Sequence, residues 1–129
     1  MYKKYRIFLE SKKPKFPNIK EVRINNFIIL IGRDSDSNDY LSTKMAYPDD
    51  IWMHAKGCPG SHVLIRVRDR LPTPEVIKEV AKLTIKNSKS KVSGTVVYCK
   101  AKFVKKEKGS KSGQVVVDYK NSNEIEIQI

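Results

Sequence analysis

Two imidazoles, a thiol and a hydroxyl fall within the segment DIWMHAKGCPGSHVLIR, Asp50 to Arg66: His54, Cys58, Ser61 and His62, beside the chain's only tryptophan, Trp52. An imidazole near neutral pH can donate or accept a hydrogen bond, carry a proton or bind a metal. The H-x3-C-x3-H spacing of His54, Cys58 and His62 therefore raises a zinc site or a histidine-activated thiolate as alternatives. Both are disfavoured, because one turn seldom sets three ligands tetrahedrally and no fourth ligand is in sight. The favoured reading is a bend that presents donors and acceptors to a ligand, with no enzyme activity, metal or cofactor expected.

A hairpin would position these groups. Ile51, Met53 and Ala55 alternate with Trp52 and His54; beyond Gly57-Cys58-Pro59-Gly60, Val63 and Ile65 alternate with His62, Leu64 and Arg66. Antiparallel pairing across that turn brings His54 and His62 together at its closed end.

The rest of the chain predicts α+β architecture, a compact single domain over 1–129 with a mainly antiparallel sheet. Tyr5, Ile7 and Leu9 suggest an edge strand, followed by a proline- and lysine-rich connection to Lys20; residues 1–20 form a basic arm with seven basic residues against one acidic. Strands are expected at Glu21–Ile24 and Phe27–Gly32 around an Asn25-Asn26 turn, the second of them central because it is apolar on both faces. Ser35 or Ser37 can cap a short helix over about 36–46. Asp34, Asp36 and Asn38 imitate a calcium loop, but Asp39 stands where such a loop needs glycine and Met45 where it needs glutamate.

Thr73, Pro74 and Glu75 open a long amphipathic helix expected over about 74–90. Val76, Ile77, Val80, Ala81, Leu83 and Thr84 share its apolar face, and Lys78, Lys82, Lys86 and Lys89 make an outer stripe with Glu79 as the only acidic neighbour before Lys91. Strands are then expected at Gly94–Lys100, Lys102–Val104, Gln114–Asp118 and Glu124–Gln128. The loop KKEKGSKSG, with Lys105, Lys106, Lys108 and Lys111, reads as flexible and basic; it lacks the GK[ST] ending of a nucleotide-binding loop.

Charge sets the class of partner. Twenty-six Lys+Arg against 14 Asp+Glu give a net charge of +12, which favours polyanions because neutralised phosphates release counterions. The two cysteines, Cys58 and Cys99, form no CxxC, and neither a signal peptide nor a membrane-length apolar run is present, so a cytoplasmic protein is expected. General DNA or polyanion binding, or an adhesin-like role, is the alternative that charge alone leaves open.

Taken in order, ILIGRDSDSNDYLSTKMA, PDDIWMHAKGCPGSHVLIR, NSKSK and KFVKKEKGSKSGQVVV resemble the NFACT-R domain of ribosome-associated quality-control factors, over about 27–117. The matching positions are Gly32, Arg33, Asn38, Asp39, Asp50, Trp52, His54, Pro59, Gly60, Ser61, His62, Lys105, Lys106, Lys108, Gly109 and Gly113. The resemblance implies RNA binding, with transfer RNA or large-subunit ribosomal RNA as the expected partner and the large ribosomal subunit as a further one. It also leads to the expectation of a stand-alone form, to which the tail extension performed by multidomain members does not transfer. The expected RNA contacts are Arg33, His54, Lys56, Ser61 and His62 around the bend, Lys82, Lys86, Lys89 and Lys91 on and after the long helix, and Lys105, Lys106, Lys108 and Lys111 in the loop. These cations are expected to converge on one side of the fold, reading phosphates and shape rather than bases.

Overall fold

The computed structural model describes residues 15–129, so the expected strand at Tyr5–Leu9 and most of the basic arm lie outside the described residues. Along the chain come β1 (Ile19–Ile24), β2 (Phe27–Gly32), α1 (Ser35–Tyr40) with a π-helical turn at Leu41–Met45, β3 (Ile51–Ala55), β4 (Val63–Ile65) and α2 (Pro74–Lys86). They are followed by β5 (Ser93–Lys100), β6 (Val104–Lys105), β7 (Val116–Val117) and β8 (Asn123–Gln128). Six strands form one antiparallel sheet in the order β1-β2-β4-β3-β5-β8, while β6 and β7 pair separately. The Asn25-Asn26 turn between β1 and β2 has positive φ at both residues, the conformation that asparagine tolerates.

Strand alternation divides the core into two layers. Ile29, Ile31, Met53, Ala55, Val63, Ile65 and Val96 face α2 and pack on its Val76, Val80, Ala81 and Ile85. Leu30, Trp52, Leu64, Val97 and Cys99 point the other way and pack on Leu41 and Val117, from the π-helical turn and β7. The sheet is thus covered by the long helix on one face, and by α1, the π-helical turn and the β6–β7 hairpin on the other. No described helix is long and apolar enough to cross a membrane.

Several boundaries differ from expectation for identifiable reasons. The cap of α1 is Asp34, not Ser35 or Ser37: its Oδ1 accepts the Ser37 amide at 2.7 Å, and a carboxylate is the stronger acceptor. Thr73 caps α2 as expected, but α2 stops at Lys86 instead of near residue 90. Past Asn87 the backbone leaves the helix to bond the β3–β4 turn, Lys89 N–H to the Pro59 carbonyl and Ser61 N–H to that of Asn87. Of the strand expected at Lys102–Val104, Lys102 and Phe103 belong instead to a 3-10 turn, Ala101–Phe103, because the Ala101 and Lys102 amides donate to the Asp50 and Pro48 carbonyls. The strand expected at Gln114–Asp118 shortens to Val116–Val117.

Candidate nucleic-acid interface

The β3–β4 hairpin forms in the expected register, Ile51 to Ile65 and Met53 to Val63. At its closed end the His54 and His62 rings meet edge to face with centroids 5.1 Å apart, and Trp52 lies 5.9 Å from His54 and 5.2 Å from His62. Ser42 joins the cluster from the π-helical turn: its Oγ accepts the Trp52 indole N–H at 2.9 Å and is hydrogen-bonded to His62 Nδ1 at 2.8 Å.

Close approaches hold this end of the fold. Asn38 Oδ1 accepts the His62 amide at 3.0 Å, and Gly32 makes room for it, since a Cβ there would stand 2.0 Å from that oxygen. Gly60 lies against the end of α2, where a Cβ would come within 2.9 Å of Ser88 Cα. Gly32, Asn38, Gly60 and His62 are thus parts of one joint that fixes the hairpin tip.

Burial governs the protonation of both histidines. His62 is pushed down to about 4, first by burial and then by the neighbouring His54, against a smaller opposing pull from Asp39. His54 is likewise lowered by burial. Both rings are therefore neutral at pH 7 and act there as hydrogen-bonding and stacking surfaces, not as cations.

A cleft of about 460 Å3 opens above these rings. Trp52, His54 and Val97 lie on its sheet side, and Gln114, Val116 and Tyr119 come from the segment that folds over it. The loop preceding β7 is pinned to α1: Lys106 Nζ pairs with Asp39 at 3.1 Å and donates to the Gln114 carbonyl at 2.9 Å, while Ser112 bonds Asp36. The loop expected to be flexible forms a wall of the cleft, tied to α1 through Lys106 and Ser112.

The expected cations do not all converge. Lys82 and Lys86 ride on α2, on the far side of the sheet from the cleft, because the inner face of that helix packs against Met53 and Val63 while Trp52 and His54 point away from it. Lys82 also pairs with Glu79 at 3.6 Å. Lys89 and Lys91 follow the helix end that docks on Pro59 and Gly60, so they belong with the hairpin tip. Arg33 is exposed next to Gly32, whose amide bonds the His62 carbonyl. Lys105, Lys108 and Lys111 are exposed, and no ion pair holds them among the described residues. Lys106 is consumed internally, Lys56 lines the cleft but pairs with Glu124 at 2.5 Å, and Ser61 turns its amide to the helix end.

Sequence reading missed two groups. Val116 borders the cleft from β7, inside the strand expected at Gln114–Asp118, and Tyr119, 60% exposed, borders it from the 3-10 turn that follows; the strand was legible but not its place over the cleft. Arg23, Arg66, Arg68 and Arg70 line a smaller hollow of about 200 Å3 beside the β1–β2 turn. The run Arg66-Val67-Arg68-Asp69-Arg70 was the signal for three of them.

This arrangement can now be set beside known proteins. The profile of the NFACT protein RNA binding domain matches residues 15–119, most of the chain. The chain belongs to that family. Within it, a protein named Rqc2 homolog RqcH from Bacillus subtilis is 38% identical over 112 residues, covering 84% of this chain and 19% of its own. The RqcH of Streptococcus suis is 42% identical over 91 residues, 68% of this chain and 16% of that one. The chain thus spans less than a fifth of the length of these relatives. A solved structure of the C-terminal part of the fibronectin/fibrinogen-binding protein from Streptococcus suis superposes with a TM-score of 0.78 at 31% identity, covering 90% of this chain and 46% of the other. The joint built from Gly32, Asn38, Gly60 and His62 lies inside the span matched by the NFACT RNA-binding profile, and so does the cleft.

Proposed function

We propose that this chain is a non-enzymatic RNA-binding module that docks RNA on the sheet face opposite α2, at the end carrying His54 and His62. Lys105, Lys108 and Lys111 contact phosphates from one side, and Arg33, Lys89 and Lys91 from the hairpin tip; Lys106 and the Ser42–His62–Trp52 cluster hold the surface in shape. The observation that carries this reading is that Lys108 and Lys111, exposed and in no ion pair among the described residues, stand on the loop whose Glu107, Ser110 and Gly113 line the cleft. Each phosphate so neutralised releases counterions and favours binding. The RNA is transfer RNA or large-subunit ribosomal RNA, and the setting is translation and ribosome quality control in the cytoplasm, a reading supported by membership of the NFACT RNA-binding family and by the RqcH relatives.

Catalysis is the weaker reading, because the Ser42 hydroxyl that meets His62 is buried and also accepts the Trp52 indole N–H, which ties it into the scaffold instead of presenting it to a substrate. Crosslinking in cells followed by sequencing of the bound RNA tests the proposal. Recovery of transfer RNA or large-subunit rRNA is the expected result. Equal recovery of DNA and unrelated RNA would replace it with general polyanion binding, and recovery of no nucleic acid would remove it.

A further inference from the structure

Resting on that reading, we infer that the cleft over Trp52 and His54 receives a single unstacked nucleobase of the bound RNA, while the surrounding lysines hold the phosphates on either side. A cleft of about 460 Å3 is large enough for one planar base, falling in the range of small-ligand sites. Its lining is wrong for a phosphate and right for a base. The exposed Val116 and Tyr119 and the half-buried His54 offer methyl groups and rings, with Trp52 and Val97 buried beneath as the floor, and the two histidines carry no charge at neutral pH that would draw an anion inward. The one lysine in the lining, Lys56, is paired with Glu124.

Cations in no ion pair among the described residues lie outside, on the loop whose residues Glu107, Ser110 and Gly113 form the edge of the cleft. Lys108 and Lys111 alternate with those edge residues, so a backbone running along the loop would present its bases toward the opening. Tyr119 is 60% exposed at the rim, where a ring can stack on an entering base. The Gln114 side chain supplies a donor and an acceptor at the edge, and the Ser110 hydroxyl, which donates to the Glu107 carbonyl, supplies an acceptor. Shape and phosphate contacts therefore account for docking, and the cleft adds a preference for RNA with an unpaired nucleotide.

Trp52, as the only tryptophan, reports directly on this site. The full chain is titrated with a hairpin RNA carrying an unpaired loop and with a fully paired RNA duplex of equal phosphate number, following Trp52 emission and affinity together. The expected result is tighter binding of the looped RNA with a change in Trp52 emission. Tyr119→Ala and the cleft-filling Val116→Trp should each weaken the looped RNA about tenfold and leave the duplex unchanged. Because Val116→Trp adds a second emitter, that variant is read by affinity alone. Val116 and Tyr119 are exposed, so neither change threatens the fold, and circular dichroism checks this.

If both RNAs bind equally, emission stays constant and both variants behave as wild type, the base is not in the cleft, although phosphate docking stands. If neither RNA binds, the RNA-binding reading falls and takes the cleft occupant with it. Emission that responds to an aromatic peptide but to neither RNA would assign the cleft to a protein side chain and overturn the inference.

Discussion

Gly32 and Asn38 are in such close contact that a single methyl group on the glycine would collide with the oxygen that accepts the His62 amide: the Cβ would sit 2.0 Å from Asn38 Oδ1. Gly32→Ala must push Asn38 away and leave the buried His62 amide unpaired. Steric overpacking and an orphaned donor together should cost about 3 kcal/mol, read as a lower urea midpoint with an unchanged slope. Asn38→Ala should lose about 1–2 kcal/mol from the same bond without the clash. The double variant should lose less than the sum of the two, because both act on one contact.

Acid should unfold the protein through the same end of the sheet. His62 titrates near 4 when folded and near 6.5 when unfolded. Between those values the unfolded chain binds a proton that the folded chain refuses, so its contribution is fully present above pH 6.5 and is lost as pH falls towards 4. One buried group shifted this far gives roughly 3 kcal/mol across the window, and His54, lowered in the same direction, adds to it. Urea denaturation at pH 7.5, 6 and 5 should show falling midpoints. His62→Gln, whatever its own stability, should flatten that dependence; an unchanged slope with pH would mean that other groups govern it.

Much of this end was legible in the sequence because period-2 alternation identifies the faces of a strand. Trp52, His54 and His62 could be assigned to one side of the hairpin, and Met53, Ala55 and Val63 to the other, before any coordinates. What alternation cannot say is which layer covers which face. Lys82 and Lys86 were therefore grouped with Lys108 and Lys111, although α2 packs on the Met53 side and the loop on the Trp52 side. The second wall of the cleft was hidden for a related reason. It is set by pairings across long stretches of chain, Lys106 with Asp39 and Ser112 with Asp36, which leave no local pattern.

Asp50 shows that a motif position can serve the scaffold. Its fully buried carboxylate pairs with Arg66 at 2.7 Å and accepts the Tyr47 and Val67 amides at 2.9 and 2.8 Å. Asp50→Ala would leave two amides without their acceptor and the Arg66 guanidinium with the Met45 carbonyl but no counter-charge, a loss of about 3–5 kcal/mol. Asp50→Asn keeps an acceptor but loses the ionic pairing, and should fall between wild type and alanine in thermal denaturation. Equal stability of all three would show that the pair contributes nothing net.

The opposite placement of the two lysine sets gives the sharpest test of where RNA lies. Each lysine that meets a phosphate adds about 0.7–0.9 to the dependence of log affinity on log salt. Lys108→Gln and Lys111→Gln should each lower that slope by about this amount without altering the fold, since both side chains are exposed. Lys82→Gln and Lys86→Gln, on the far face, should leave the slope unchanged. Lys106→Gln should behave differently from both groups. Its ammonium holds Asp39 and the Gln114 carbonyl, so its loss should release the loop and be seen first as faster amide hydrogen exchange around Gln114. Slopes that fall for the helix lysines and hold for the loop would move the RNA to the α2 face, and the cleft would then have no nucleic acid beside it.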